Sequence, residues 1–403
     1  MVPKVPHVRA SDLHGYSRLA VDGVLALTRL VEAMHANIAR GAGGPAGGIT
    51  GLVYRSVRGA TRLVGGGLDA MLAQLAPLLE EEPSSPVREA LIAALNGVLG
   101  DHLAATANPL AIPMRLRREG VPLELAREAL AKSVPRASAQ VVLLVHGLCR
   151  NDLQWCRNGR DHGALLAADA AFAVPWTPVY LHYDSGLHVS TNGRAFAGLI
   201  EQMVNAWPVP VAGLAILGHS MGGLVARSAC HYGAAAGHDW PRRLRKVIFL
   251  GTPHHGVPLE RGGNWVNVAL DSSPYTAALA RLGRIRSAGI TDLRYGNLLD
   301  EDWRHRDRFG RAEDRRIAVP LPQGAQCYAI AASIGKRPRN PRATLLGDGL
   351  VPVRSALGQH PDAALKLPIP ESRRWIAYGM GHLDLLDRRA VYARIRRWML
   401  APD

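Results

Sequence analysis

Cysteine is scarce in this 403-residue sequence, which contains four cysteines and no C-x-x-C pair. Four cysteines are too few for a disulfide scaffold, and without C-x-x-C spacing there is no sign of a zinc or dithiol redox site. Cys149 and Cys156 lie close enough along the chain to bridge a loop, but we expect free thiols. A disulfide-rich small domain and a zinc-finger protein are therefore excluded.

Long apolar segments are also missing. Residues 1–16 contain proline, histidine, arginine and aspartate, and they lack the apolar core of a signal peptide. The longest uncharged stretch, residues 202–226, has a Trp-Pro-Val-Pro run and a Gly/Ser motif, which fit a loop, a buried strand and a tight turn better than a membrane helix. We expect a cytoplasmic protein.

The composition is that of a globular protein with a basic excess. Apolar residues make up 48% and charged residues 20%, which excludes wholesale disorder. The net charge is +15, from 48 lysines and arginines against 33 acidic residues, and most of the excess follows Pro135. Such a charge favours anionic partners such as phospholipid head groups or carboxylates. No helix-turn-helix, zinc or RNA-binding motif is present, so we expect no nucleic-acid partner.

The N-terminal third is predicted to be helical. Apolar residues recur there at three- and four-residue steps, as they do along one face of a helix. A glycine run at residues 65–67 is expected to kink or split the second helix. We predict an N-terminal helical module over residues 1–135. Its predicted segments are helices at 11–39, at 49–79, from Pro86 and at 122–131, with an irregular stretch at 109–121.

The pattern changes at residue 139. Short apolar runs rich in β-branched residues alternate with helical segments, which predicts a mostly parallel sheet with helices on both faces. The catalytic domain would span residues 136–403, interrupted by an arginine-rich insertion at about 258–322. The predicted strands are 141–145, 178–182, 212–217, 246–250, 326–331 and 375–378.

A G-x-S-x-G motif at residues 218–222 follows one of these strands and precedes a helical run. That context is what a nucleophile elbow requires, since a sharp strand-to-helix turn exposes the hydroxyl of Ser220. Gly218 and Gly222 would remove side chains that collide in the turn. The alternative, an ordinary glycine-rich helix entrance, is weakened by the strand before it and the helix after it.

An oxyanion hole needs two backbone N–H groups. One would come from Met221, the residue after the nucleophile, and the other from Leu148, in the loop after the first predicted strand. Gly147 would let that loop approach closely. We interpret His146 as a structural residue that holds the loop at the edge of the pocket.

The base must be a histidine on a loop after a late strand. His382 follows residues 375–378 and is the last histidine of the chain, as the order serine, acid, histidine requires. His254 and His255 also follow a strand but come too early in that order, so we interpret them as pocket-lining or structural residues.

The acid that orients the base is sought between the serine and the histidine. Asp348 lies between two glycines after the fifth main strand and fits this order. Asp-Gly is also a common simple turn. Asp384 is the second candidate, although it resembles a helix cap, and Asp184 precedes the nucleophile and breaks the order.

Five motifs in this order resemble the α/β-hydrolases of the lipase type, in particular bacterial lipases and the GPI inositol-deacylase-like serine esterases. The resemblance covers the chain from about residue 139 onward. It implies Ser220 as nucleophile, Asp348 as acid, His382 as base, Leu148 and Met221 as oxyanion donors, and no metal or organic cofactor. The matching motifs are residues 145–148, 218–223, 250–256, 347–352 and 381–382.

The insertion at 258–322 falls where such enzymes often carry a lid. Its apolar residues, Trp265 among them, would cover an acyl chain while its arginines face an anionic lipid surface. A solvated face laced with salt bridges is an equal alternative. We therefore predict a serine carboxylic-ester hydrolase acting on lipid-like or other acyl esters. An acyltransferase or thioesterase with the same three residues is the alternative, and the oligomeric state stays open.

Overall fold

The computed structural model describes residues 9–41, 49–75, 84–257, 286–306, 314–335 and 347–402. Contacts divide the chain into two units, Met1–Arg88 with Leu103–Ala111, and Glu89–His102 with Ile112–Asp403. Much of the predicted insertion, including Trp265, lies outside the described residues. The predicted boundary at residue 135 stays a prediction.

The first unit is helical. Helix α1 spans Ala10–Gly41 and α2 spans Ile49–Leu75, and both ends of α3, Pro86–Ala105, also belong to this unit. Helix α2 is uninterrupted, so the predicted split at residues 65–67 is wrong. A Cβ on Gly65 would lie 2.7 Å from a methyl of Val21, which indicates that the small residue lets α2 approach α1 closely.

Buried polar contacts join the elements of this first unit. The His14 ring lies 2.6 Å from the carboxylate of Asp69, and the Arg88 Nε donates to Asp12 at 2.6 Å. None of the helices that the structure describes is long and apolar enough to cross a membrane.

The second unit is built on one eight-stranded sheet with the order β2-β1-β4-β3-β5-β6-β7-β8. The six strands from β3 to β8 are parallel, and the first two are antiparallel. All six predicted strands are present. The strands are β1 Arg115–Arg118, β2 Val121–Pro122, β3 Gln140–Val145, β4 Trp176–His182, β5 Gly213–His219, β6 Leu244–Leu250, β7 Gln326–Ser333 and β8 Arg374–Tyr378.

The stretch at 109–121 was predicted to be irregular, and this is wrong because β1 lies in it. Strand β1 reads Arg-Leu-Arg-Arg, and only Leu116 is buried, so its sequence lacks the apolar run that marks the other strands. Its pairing with β4 comes from Leu116 opposite Leu181 and from backbone hydrogen bonds.

The central strands are buried on both faces. In β3, Val141, Leu143 and Val145 belong to one core cluster, and Val142 and Leu144 belong to the other. This explains their continuous apolar sequence, because helices cover both faces of a parallel sheet. The remaining helices are α4 Arg127–Ser133, α5 His162–Ala168, α6 Val189–Ala206, α7 Met221–Ala235, α8 Ala288–Asp292, α9 Val353–Ala356 and α10 Arg389–Leu400.

The α/β-hydrolase fold expected from the sequence is confirmed by this sheet and its crossover helices. Since parallel strands end at the same edge, the loops after β3, β5, β7 and β8 meet there. All four cysteines are free thiols.

Candidate active site

Ser220 occupies the sharp turn between β5 and α7. Its φ is 55° and its ψ is −127°, a region that residues other than glycine rarely adopt. The turn is held by the Ser220 amide, which donates to the Leu250 carbonyl at 2.8 Å, and by the Gly223 amide, which donates back to the Ser220 carbonyl at 3.1 Å. This is the strand-turn-helix geometry of a nucleophile elbow.

Two glycines allow the backbone to close around this serine. A Cβ on Gly222 would lie 2.2 Å from the Val145 carbonyl oxygen, a contact that no side chain tolerates. A Cβ on Gly147 would lie 2.9 Å from the Ser220 Cβ. The loop after β3 therefore lies directly against the candidate nucleophile.

One predicted oxyanion donor directly follows Ser220 in the chain, and the other lines the same cavity. Met221 opens α7, so its amide belongs to the first turn, whose N–H groups have no acceptor within the helix. Leu148 borders the same cavity as Ser220. The next amide, that of Cys149, is already bonded to the Ser185 hydroxyl at 3.0 Å. The partial positive charge at the start of α7 also favours a developing oxyanion.

His382 is bonded to Asp348. Its Nδ1 donates to the Asp348 Oδ2 at 2.7 Å, and the two side chains are 6% and 0% exposed. The other carboxylate oxygen of Asp348 accepts from the amides of Leu350 at 2.9 Å and Val351 at 2.8 Å. These contacts orient the imidazole and place its proton on Nδ1, which leaves Nε2 as a proton acceptor.

The two alternative acids lie in other surroundings. Asp384 accepts from the Gly381 amide at 2.9 Å and pairs with Arg388 at 3.2 Å, so it caps the turn that carries His382. Asp184 accepts from the Gly186 amide at 2.8 Å and does not line the cavity of Ser220. Burial raises the pKa of Asp184 to about 7.

Ser220 and His382 line one cavity of about 300 Å³, which we call the Ser220 cavity. Sequence reasoning missed three of its polar residues, Arg150, Arg157 and His219. Arg150 and Arg157 follow the oxyanion loop, where a cation two residues after Leu148 was the available signal, and His219 precedes the serine. The lining comprises Gly147, Leu148, Arg150, Arg157, His219, Ser220, Asp348, Gly349, Leu350, Gly381, His382, Leu383 and Asp384.

His219 contacts His382. Its Nε2 donates to the backbone carbonyl of His382 at 3.3 Å, and its ring centroid lies 4.7 Å from that of His382. Burial, followed by the charges of His382 and Arg150, holds the pKa of His219 well below its usual range. The residue is therefore neutral and fixes the loop of His382.

His146 lies beneath the oxyanion loop and does not line the Ser220 cavity. Its Nδ1 donates to the Gly147 carbonyl at 2.9 Å, and its ring stacks on Tyr183 with centroids 4.3 Å apart. Burial lowers the pKa of His146 to about 3, so the ring is neutral. It holds the loop in place.

His254 and His255 line a second cavity of about 230 Å³, which we call the Arg227 cavity, and not that of Ser220. The Arg227 Nη1 donates to His254 Nδ1 at 3.5 Å, and the Arg316 Nη2 donates to His255 Nδ1 at 3.1 Å. Desolvation by burial lowers the pKa of His255 to about 3 and that of His254 well below its usual range.

The described residues contain no group of three or more histidine, cysteine, aspartate or glutamate side chains placed to hold a metal ion. The Ser220 cavity holds a hydroxyl on a strained turn, an oriented imidazole and the loop of Leu148, and the amide of Met221 directly follows the serine. This set is able to carry out nucleophilic attack on an acyl carbon with proton transfer through a histidine.

The parallel sheet and its crossover helices give this chain the α/β-hydrolase fold. The family model described as "PGAP1-like alpha/beta domain" matches residues 197–319, which include the Ser220 turn. No match to a curated protein was found.

Several solved structures are distantly similar. A Bacillus licheniformis lipase, BlEst2 in its propeptide form, is 17% identical with a TM-score of 0.42, over 66% of this chain and 51% of that one, so the chain spans about half the length of that lipase. A Pyrococcus furiosus esterase is 13% identical with a TM-score of 0.37, over 65% and 81%. The Legionella pneumophila phospholipase PlaB is 15% identical with a TM-score of 0.32, over 54% and 45%. Such distant likeness does not indicate which reaction this chain catalyses.

Proposed function

We propose that this protein is a serine hydrolase that cleaves carboxylic esters of lipid-like or other acyl groups. The observation that carries the proposal is the buried hydrogen bond of 2.7 Å between His382 Nδ1 and Asp348, in the same cavity as Ser220 on its strained turn. The family match at residues 197–319 is consistent with it.

In the proposed reaction the Ser220 Oγ attacks the ester carbonyl carbon while its proton passes to His382 Nε2. The amides of Leu148 and Met221 hold the oxyanion of the tetrahedral intermediate. The carbon–oxygen bond to the leaving alcohol then breaks, and His382 gives its proton to that alcohol. Water repeats the cycle on the acyl-enzyme and releases the acid.

Labelling with a fluorophosphonate probe tests the nucleophile directly. We expect the wild type to be labelled and Ser220→Ala to be unlabelled, with hydrolysis of p-nitrophenyl esters lower by about 10⁴-fold or more. Ser372 is exposed and serves as the matched control, because Ser372→Ala removes a hydroxyl far from the chemistry. Labelling that persists in Ser220→Ala would reject Ser220 as nucleophile.

The same assay addresses the acceptor and the leaving group. A series of acyl chain lengths, run with and without added alcohols, separates hydrolysis from acyl transfer, and matched thioesters test the thioesterase alternative. Product esters that dominate over free acid would replace hydrolysis with acyl transfer.

Peripheral contact with an anionic lipid surface is part of the proposal. The net charge of +15 supports it, because basic surfaces bind anionic head groups in a salt-dependent way. Liposome flotation at increasing anionic lipid content is the test. Binding that does not respond to lipid charge or to salt would reject this contact.

A further inference from the structure

Arg150 stands out among the residues of the Ser220 cavity. It follows the candidate oxyanion donor Leu148 by two positions and lines the cavity together with Ser220 and His382. In the part of the chain that the structure describes, its guanidinium makes no hydrogen bond and no ion pair. Arg150 is partly exposed and its guanidinium nitrogens keep contact with solvent, so this unpaired cation is accessible to an anion that enters the cavity.

The second arginine of the cavity differs in this respect. The Arg157 guanidinium donates to the Asp387 carboxylate at 2.7 Å and to the Leu383 carbonyl at 3.3 Å. Its Nη1 also lies 3.6 Å from the Asp384 Oδ1. Its charge is balanced by these carboxylates, and its side chain is fixed. Arg157 therefore has a structural task that Arg150 does not have.

Both carboxylates that line the cavity already have other hydrogen-bond partners. Asp348 holds His382 and two backbone amides, and Asp384 holds the Gly381 amide and pairs with Arg388. Burial and the charge of Arg157 lower the pKa of Arg150 to about 10, which still leaves it protonated at neutral pH. Arg150 is thus the arginine of this cavity that no carboxylate of the cavity pairs with.

We propose, on the basis of the function proposed above, that Arg150 binds an anionic group of the substrate, a phosphate or a carboxylate located close to the scissile ester. A guanidinium presents a planar pair of N–H donors that matches either group. The position two residues after Leu148 places this anion beside the oxyanion loop, where it would orient the ester carbonyl toward Ser220.

A different role for Arg150 gives a different signature. A cation near the reacting carbonyl would also stabilise the oxyanion, and this would help neutral and anionic esters equally. The informative quantity is therefore the selectivity ratio, kcat/KM for an anionic ester divided by kcat/KM for its neutral counterpart.

Two ester pairs distinguish the anion and its side of the ester. In the first pair, 4-nitrophenyl butyrate is compared with mono-4-nitrophenyl glutarate, which carries a carboxylate on the acyl side. In the second, 1-butyrylglycerol is compared with 1-butyrylglycerol 3-phosphate, which carries a phosphate on the alcohol side. Wild type should favour the anionic member of at least one pair, chiefly through a lower KM.

Arg150→Gln should lower that selectivity ratio by about 10- to 100-fold, the size expected for loss of a charge-assisted pair. Arg150→Lys should restore part of it. Arg242, whose side chain is 84% exposed, supplies the matched control, and Arg242→Gln should keep the ratio of the wild type. Thermal unfolding of each variant monitors folding.

A measurement on the wild type alone tests the same proposal even where a variant fails to fold. At constant ionic strength, inorganic phosphate or glutarate should slow the labelling of Ser220 by a fluorophosphonate, and a neutral diol should not. A wild-type ratio near one in both pairs, or equal losses for both members of a pair in Arg150→Gln, would overturn the inference while leaving the hydrolase intact. Absence of labelling and of all ester cleavage would instead reject the proposed function.

Discussion

Two buried histidines of this protein have opposite neighbours. His382, in the Ser220 cavity, donates to the carboxylate of Asp348 at 2.7 Å. His254, in the Arg227 cavity, accepts from the guanidinium of Arg227 at 3.5 Å. Both residues are buried, with 7% of the surface of His382 and 1% of that of His254 exposed.

The partner decides what each imidazole is able to do. A carboxylate stabilises the imidazolium that forms when a base takes a proton, so His382 is suited to proton transfer. Burial, reinforced by the nearby cations, holds the pKa of His254 well below its usual range, so that ring stays neutral and serves as a packing and hydrogen-bonding group. Burial alone therefore does not make a histidine functional.

The largest expected effect separates the two rings directly. His382→Ala should lower kcat for a p-nitrophenyl ester by about 10⁴-fold or more, because it removes the proposed acceptor of the Ser220 proton. The matched variant His254→Gln should keep kcat within a few-fold and should cost about 1–3 kcal/mol of unfolding free energy, since it disturbs a buried contact. Steady-state kinetics and chemical denaturation measure the two effects. Equal losses of kcat in both variants would break the comparison.

The carboxylate is tested by Asp348→Asn. The amide oxygen of Asn still accepts from Leu350 and Val351, so the fold should persist, but the imidazolium of His382 loses its counter-charge. We expect kcat to fall by about 10⁴-fold with little change in Tm. An Asp384→Asn variant is the control, because Asp384 caps the turn and does not contact the His382 ring. A larger loss of kcat in the control than in Asp348→Asn would assign the acid to Asp384.

Asp184 is a buried carboxylate that forms no ion pair with a cation among the described residues, so it shows the effect of burial on an acid. Its pKa is raised to about 7, and one of its oxygens has no hydrogen-bond partner among the described residues. In the unfolded chain the group ionises near pH 4, so the folded state binds more protons between about pH 4 and pH 7. Its contribution to stability is therefore greatest at low pH, falls as pH rises through this window, and levels off above about pH 7.

Asp184→Asn should remove this pH dependence. The amide oxygen keeps the Gly186 contact. The free energy of unfolding of the variant minus that of the wild type should rise by up to about 4 kcal/mol between pH 4 and pH 8, since three pKa units correspond to that free energy. Denaturant midpoints at the two pH values, taken as the difference between variant and wild type, cancel the titration of other groups. A constant difference across this range would contradict the assigned shift.

The smallest effect concerns the cause of the low pKa of His254. Desolvation is its largest cause and the charge of Arg227 comes second. Arg227→Gln should therefore raise the pKa of His254 but leave it below 6.5, as followed by NMR titration of the ring protons. Recovery of the full usual value would assign the shift to charge instead of burial.

Much of the fold was predictable because most strands are recognisable from a short stretch of their own sequence. Strands buried on both faces need apolar runs, and such runs occupy 141–145 in β3, 214–217 in β5 and 247–250 in β6. Strand β1 was missed because three of its four residues are arginines, and its pairing with β4 depends on a neighbour about 60 positions away. The glycines of α2 were misjudged because helix propensity does not include the close approach of Val21 to Gly65.

The site was predictable to a similar extent. Motif spacing and chain order selected Ser220, Asp348 and His382, and the structure places Asp348 against His382 across 34 positions of sequence. The spacing did not separate His254 and His255 from the substrate pocket, because both follow a strand that ends at the same sheet edge. Among 48 basic residues, the position of Arg150 two residues after Leu148 was the one signal for it, and that signal was not used.

The sequence alone determined the element types, the parallel sheet and the residues available for chemistry, since apolar periodicity and turn glycines act over a few residues. Only the tertiary structure decided which charge lies beside each buried histidine, and which arginine of the Ser220 cavity has no carboxylate partner among the described residues. The physical reason is that the protonation and pairing of a buried group depend on neighbours within a few ångströms, and folding draws those neighbours from distant parts of the chain.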